Sequence, residues 1–334
     1  MENMKKYILL AAKAAIAFGI SIVLLSGFSL FFSYDGVHID NKTGATDYTW
    51  EPGQLKTTMR EGHAMLRMDK NGFNDSYAAS DDIDILLMGS SHMEAVNVAS
   101  NKNTGYLLNE LVPYMYTYNI GISGHTIYNC VNNMTNAIKA YNPCRYVVIE
   151  TSTAELDMKS METVVNNEYK KIPSYDTGIM YWLQKNIPAV KSLYKQADEW
   201  MAYDKKSSSN GDKNDKENNI SETDYKGILD DFLKRAATPV KENGCELIIF
   251  YHPTEEIDEN GRFIFYTNEK TLSMFSKACE KNGIRFIDMT DDFTKMYENR
   301  HVLPHGFINT AVGVGHLNEY GHEAIAERLS KEIQ

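Results

Sequence analysis

Two short segments carry residue types suited to acyl chemistry: Gly89-Ser90-Ser91-His92, and Gly313-Val314-Gly315-His316-Leu317-Asn318 near the other end of the chain. A serine hydroxyl is a poor nucleophile until a base removes its proton, and neutral imidazole suits that task near neutral pH. Ser91 follows Ile83 to Met88, a nearly continuous apolar run that reads as a strand buried on both faces. Ligands of parallel α/β sheets sit beyond the carboxyl ends of the strands. A serine where such a strand turns into a helix can expose its hydroxyl while backbone N–H groups face an incoming oxyanion. Serine there also serves as a helix N-cap, so the tetrapeptide alone leaves both readings open. His316 precedes a helix carrying Ala324, Ile325 and Leu329, with Asn318 as its expected N-cap. Beside that N-terminus the dipole disfavours imidazolium and keeps the ring available as a base. Ser91 as nucleophile and His316 as base is therefore the working assignment.

These blocks resemble the SGNH/GDSL hydrolase superfamily, which has a Gly-Asp-Ser start, a Gly, an Asn and an Asp-x-x-His end. Gly89-Ser90-Ser91 is similar to the first block with Ser90 in place of Asp, and His316 with Leu317-Asn318 and Gly321-His322 is similar to the last. Asn119-Ile120-Gly121-Ile122-Ser123-Gly124 resembles the oxyanion segment. The resemblance implies that the N–H groups of Ser91 and Gly124 form the oxyanion hole. Two positions depart. After the third strand the chain reads Glu150-Thr151-Ser152-Thr153-Ala154-Glu155, without Asn, which leaves the Thr153 hydroxyl as a substitute donor. Gly313 stands at the family's Asp, so His316 needs a backbone carbonyl or a carboxylate from elsewhere, with Glu150, Glu155 and Asp288 unranked candidates. His92 adjoins the nucleophile, His125 adjoins Gly124 and His305 precedes the last block; each can contact substrate or play an ordinary polar role. No HExxH or similar pair occurs, so neither metal nor cofactor is expected.

The elements that must bring Ser91 and His316 together are legible as buried runs: Ile83 to Met88, Tyr146 to Ile149, Leu247 to Tyr251, Arg285 to Ile287, and a weaker Tyr114 to Tyr118. Helical patterns lie between them, and two close on Asn-Gly (Asn243-Gly244, Asn282-Gly283) as left-handed C-caps do. The expectation is a three-layer α/β/α domain around a five-stranded, mainly parallel, flavodoxin-like sheet of SGNH type. It spans residues 81–334, with an insertion at about 151–223. Within the insertion, 205–219 has no apolar residue and reads as a mobile loop. Tyr181, Trp182, Trp200 and Tyr203 of the insertion read as packing, a substrate cap or a membrane-proximal surface. Residues 35–80, with Gly36, Pro52, Gly53 and Gly72, read as a stalk and entry segment.

Lys5 and Lys6 precede an uncharged run from Ala14 to Phe32 of membrane-spanning length that ends in bulky residues. Residues 1–34 are thus read as an uncleaved signal anchor in the plasma membrane, with a cytoplasmic N-terminus and everything after it outside. A cleaved signal peptide is the alternative and exports the domain as well. A formal net charge of −11 excludes nucleic acid as a partner, since binding a polyanion needs a cationic face. The four cysteines suggest the bridges Cys130–Cys144 and Cys245–Cys279, with free buried thiols as the alternative. Anchor and altered first block together resemble, more loosely, membrane-linked SGNH-like proteins that acylate cell-surface polymers. That analogy implies an esterase or O-acyltransferase, an acylated carbohydrate or envelope polymer as substrate, and a membrane O-acyltransferase as partner. A non-catalytic accessory or glycan-binding protein that retained the fold is the rival expectation.

Overall fold

The structure, a computed structural model, describes residues 2–32, 34–77, 82–171, 178–208, 222–265 and 267–333. Helix α1 (Glu2–Phe32) has 31 residues, about 46 Å at 1.5 Å each. With a mean hydropathy of 2.5 and none of its apolar window buried, it is long and apolar enough to cross a membrane.

Two antiparallel ribbons follow, β1 (His38–Asp40) with β2 (Tyr48–Trp50), and β3 (Leu55–Thr58) with β4 (Ala64–Arg67). The stalk expected at 35–80 is corrected here. Trp50, Ala64, Leu66 and Met68 pack with Val96 into a small core, so burial of apolar side chains folds the segment onto the domain. Its glycines serve tight turns within it: at Gly72 (φ +86°) a Cβ would collide with the Trp50 carbonyl.

The central sheet begins with β5 (Ile85–Met88), followed by the one-turn helix α2 (Ser91–Glu94) and α3 (Thr104–Leu111). Next come β6 (Thr117–Asn119), α4 (Ile127–Tyr141), β7 (Tyr146–Thr151) and the helices α5 (Met158–Val165), α6 (Ile179–Asn186), α7 (Pro188–Ser208) and α8 (Glu222–Glu242). Strand β8 (Glu246–Tyr251), the ribbon β9 (Glu255–Ile257) with β10 (Phe263–Phe265), α9 (Glu269–Lys281), β11 (Arg285–Asp288), α10 (Thr290–Arg300) and α11 (Glu319–Glu332) complete it. The five sheet strands are parallel in the order β6-β5-β7-β8-β11, the doubly wound order in which the chain reverses direction beside its first strand.

Alternation along β5 shows why the run is apolar throughout. Leu86 and Met88 join the core under α4, α5, α8 and α9, whereas Ile85 and Leu87 join the one under α3, α10 and α11. All five expected strands are present, although β6 starts three residues after Tyr114, which is exposed on a turn. Gly244 (φ +76°) and Gly283 (φ +70°) close α8 and α9 in the left-handed conformation their positions predict. Of the segment 205–219, residues 205–208 continue α7 and 209–219 lie outside the described residues. All four cysteines are free, and neither expected bridge is present; the Cys245 thiol donates to the Pro143 carbonyl at 2.9 Å instead.

Candidate active site

Ser91 opens α2, with Ser90 as the N-cap whose hydroxyl accepts the His92 N–H at 3.2 Å. Ser90 thus caps the turn that presents Ser91. As the first helical residue, Ser91 has an N–H without an intrahelical partner. Close packing holds this turn against the sheet: a Cβ on Gly89 would lie 2.8 Å from Glu150 Oε2, and one on Gly121 2.6 Å from the Glu94 nitrogen.

The loop between α10 and α11 delivers His316. Asn318 caps α11, accepting N–H bonds from Tyr320 and Gly321 as its type and position predict, while its amide holds the carbonyls of Leu303 and Gly306. Ser91 and His316 meet: His316 Nε2 lies 2.9 Å from Ser91 Oγ. On the other side of the ring, Nδ1 lies 2.6 Å from Glu61 Oε2, and the His316 N–H donates to Glu61 Oε1 at 2.5 Å. The His316 and Glu61 side chains are 32% and 22% exposed, so the cluster opens to solvent.

Glu61 is the carboxylate that sequence reasoning missed. None of the three candidates plays its part. Glu150 is buried at the end of β7, where its Oε2 accepts the Ser90 N–H at 2.8 Å and its Oε1 lies 2.9 Å from His252 Nε2. Asp288 caps the turn into α10 through Thr290, and Glu155 bonds through its backbone to Thr153. Gly313 could not have been acidic without rearrangement: it has φ +70°, and a Cβ would lie 3.0 Å from Phe263. Gly315 (φ +103°) is equally constrained, since a Cβ there would collide with Glu61 Oε1. The 59–62 loop is held from the far side by Asn309, whose Oδ1 accepts the Gly62 N–H at 2.9 Å and whose amide donates to the Met59 and Gly62 carbonyls.

Gly124 has φ +82°. The Tyr48 hydroxyl donates to the Ser123 carbonyl, which fixes the plane of the Ser123–Gly124 peptide and so the direction of the Gly124 N–H. The Ser123 hydroxyl and the Trp50 indole N–H both donate to the buried carboxylate of Glu94 at the end of α2. Thr153 is exposed, and its hydroxyl is engaged with the backbone of Glu155, so the substitute oxyanion donor is instead occupied in a local turn.

The three further histidines are placed behind the site. His92 Nδ1 accepts the Leu317 N–H at 3.2 Å, which ties the residue after the nucleophile to the residue after the base. Its ring packs against those of His252, His305 and His316 at centroid distances of 4.7, 5.6 and 5.4 Å. Burial pushes its pKa down to about 2, so it stands neutral. His305 is buried with Nδ1 2.7 Å from Glu255 Oε2, and His125 is buried with Nε2 3.9 Å from Asp47 Oδ2. Neither is accessible to a substrate, which corrects their assignment as contacts. Glu150 is the complement of this set: burial alone would raise its pKa, but the hydrogen bonds with His252 and the Ser90 N–H bring it down to about 2. Among the described residues no group of three or more potential ligands is arranged to hold a metal ion.

The strand order, with Ser91 beyond β5 and His316 before the last helix, gives the chain an α/β fold of the SGNH type. No family model and no curated protein sequence matches it. Similar solved structures include an acetyl xylan esterase, 14% identical with TM-score 0.43, covering 75% of this chain and 100% of that one. A member of the lipolytic G-D-S-L family from Veillonella parvula is 13% identical with TM-score 0.37, covering 75% and 97%. A psychrotrophic esterase from a Pseudoalteromonas species is 13% identical with TM-score 0.36, covering 75% and 95%.

Proposed function

We propose that this chain is an SGNH-like serine esterase or O-acyltransferase, anchored by α1 with its α/β domain outside the plasma membrane, that acts on acyl esters of cell-surface carbohydrate. The observation that carries the reading is the continuous contact from Ser91 Oγ through His316 to Glu61, at 2.9 and 2.6 Å. In this mechanism Ser91 Oγ attacks the acyl carbonyl carbon as its proton passes to His316 Nε2. The Glu61 carboxylate holds the opposite N–H and stabilises the imidazolium that forms. Negative charge on the carbonyl oxygen is met by the N–H groups of Ser91 and Gly124, the latter aimed by Tyr48. Collapse expels the alcohol, which takes the proton from His316, and leaves the acyl group on Ser91. Water or a sugar hydroxyl then attacks with His316 again as base, giving hydrolysis or transfer by the same half-reaction. The proposed partner is a membrane O-acyltransferase working on the same cell-surface polymer.

The rival reading, an accessory protein without catalysis, drew on the missing acid and the missing Asn. Glu61 supplies a carboxylate, which leaves only the Asn without a replacement and favours the enzyme. The test is hydrolysis of a small acetyl ester and labelling by a fluorophosphonate, with Ser91→Ala as control. The enzyme reading requires that the label land on Ser91 and that turnover fall to background in the variant. Equal rates in the folded parent and variant would remove it.

A further inference from the structure

Helices α6 and α7 form an elbow at Pro188 that the proposed chemistry does not use. Their polar face is committed. Tyr181 and Lys185, one turn apart on α6, both bond the Glu51 carboxylate, and Lys195 on α7 pairs with Asp35 just beyond α1. Ala189 at the start of α7 is buried, with its N–H 3.4 Å from Ser26 Oγ of α1, and the Tyr34 hydroxyl donates to the Lys185 carbonyl. The pair also carries an apolar surface that is open. Ile179 and Trp182, at i and i+3 on α6, are 75% and 57% exposed; Leu193 and Trp200, at i and i+7 on α7, are 57% and 73% exposed.

The register of these contacts along α1 decides what covers that face. Ser26 lies six residues inside the end of the apolar run at Phe32, about 9 Å along the helix axis. The start of α7 touches α1 there, so while α1 crosses a bilayer the bend of the elbow sits at the depth of an interfacial helix, about 5–10 Å into the headgroup and acyl boundary, and α7 runs outward from it to the Lys195–Asp35 pair. Two tryptophans beside aliphatic residues are the side chains that favour this layer.

We propose that the α6–α7 elbow is a second membrane contact, with Ile179, Trp182, Leu193 and Trp200 seated in the outer interface of the bilayer that α1 crosses. The contact rests on the reading of α1 as a span, and its consequence is positional. Tethering to the anchor makes insertion effectively intramolecular, so a modest apolar face suffices despite the acidic surface. Glu51, which the elbow grips, adjoins Trp50, which bonds Glu94 behind the active site, so the elbow sets the orientation of the site above the membrane.

The experiment uses the full chain in phosphatidylcholine vesicles whose acyl chains carry bromine near the headgroup or near the terminal methyl. In Trp200→Phe, Trp182 and the buried Trp50 remain, and the headgroup-proximal bromines should quench more of the emission than the deep ones. The Trp182→Phe, Trp200→Phe double variant should lose this quenching and retain the emission of a buried Trp50, which reports a folded domain. Phe18→Trp in that double background reports the anchor and should be quenched most by deep bromine. Trp182 unquenched while Phe18→Trp is quenched overturns the elbow contact and leaves the anchor standing. Both unquenched overturns the anchor and the elbow together.

Discussion

Two histidine–carboxylate pairs hydrogen-bond to the Ser90–Ser91 turn, and their difference shows what makes one of them a catalytic candidate. His316 and Glu61 meet at 2.6 Å with side chains 32% and 22% exposed. His252 and Glu150 meet at 2.9 Å with side chains 0% and 2% exposed. The pairing is nearly the same, but the far nitrogen differs. His316 Nε2 faces the Ser91 hydroxyl, whereas His252 Nδ1 has no hydrogen-bond partner among the described residues. The exposed pair can move a proton between a nucleophile and a substrate. The buried pair, through the Ser90 N–H, holds the turn that presents that nucleophile.

Substitutions should separate the two pairs. Glu61→Gln keeps the shape and removes the charge, and the loss expected in kcat is about 10³–10⁴-fold with an unchanged denaturation midpoint. Kinetics on an acetyl ester alongside a urea titration measure both, and a lowered midpoint would recast Glu61 as scaffold. Glu150→Ala should do the reverse first. It leaves the Ser90 N–H and the buried His252 Nε2 without their partner, and the cost expected in stability is about 1–3 kcal/mol for each. Activity measured well below its transition midpoint should then fall far less than in Glu61→Gln.

The buried histidines also give stability a pH dependence of defined sign. Burial lowers His92 to about 2, and His38 and His322 to about 3. Their unfolded values lie near 6.5, so below that pH the unfolded chain takes up protons that the folded one refuses, and stability falls. Asp75, raised by burial to about 7, acts oppositely between pH 7 and about 4, where the folded state keeps a proton that the unfolded state releases. Burial lowers His125 and His305 as well, so the histidines outweigh Asp75 and predict a net decline from about pH 6.5 downward. Denaturant midpoints at a series of pH values check it, and His322→Gln should flatten the slope. The smallest effect is expected from Asn309→Ala, which frees the loop carrying Glu61. About tenfold in kcat with little change in KM is the outcome that fits a positioning residue, whereas a changed KM alone would place Asn309 at the substrate.

Local patterns made much of this architecture readable. A strand buried on both faces must be apolar at every position, so β5, β7 and β8 stand out in the sequence. Asn318 and the glycines at 244 and 283 announce helix ends because their conformations depend on near neighbours. The Ser91 and His316 motifs were legible for the same reason, as each lies at the end of a recognisable element. Glu150 left a signal as well, an acid that directly follows an apolar run at the end of a buried strand, where only a partner can stabilise it.

Glu61 left none. It sits in a polar loop among many acids, and what distinguishes it is proximity to a residue 255 positions away. Sequence alone determined the layers, the strand order they permit, the apolar first helix, and the first sheet strand and last helix beside which Ser91 and His316 lie. Tertiary structure decided which carboxylate completes the cluster, that 35–80 folds onto the domain, and that three nearby histidines lie behind the site. The physical reason is range: hydrogen bonding and burial within an element depend on neighbours along the chain, whereas a charge finds its partner through space.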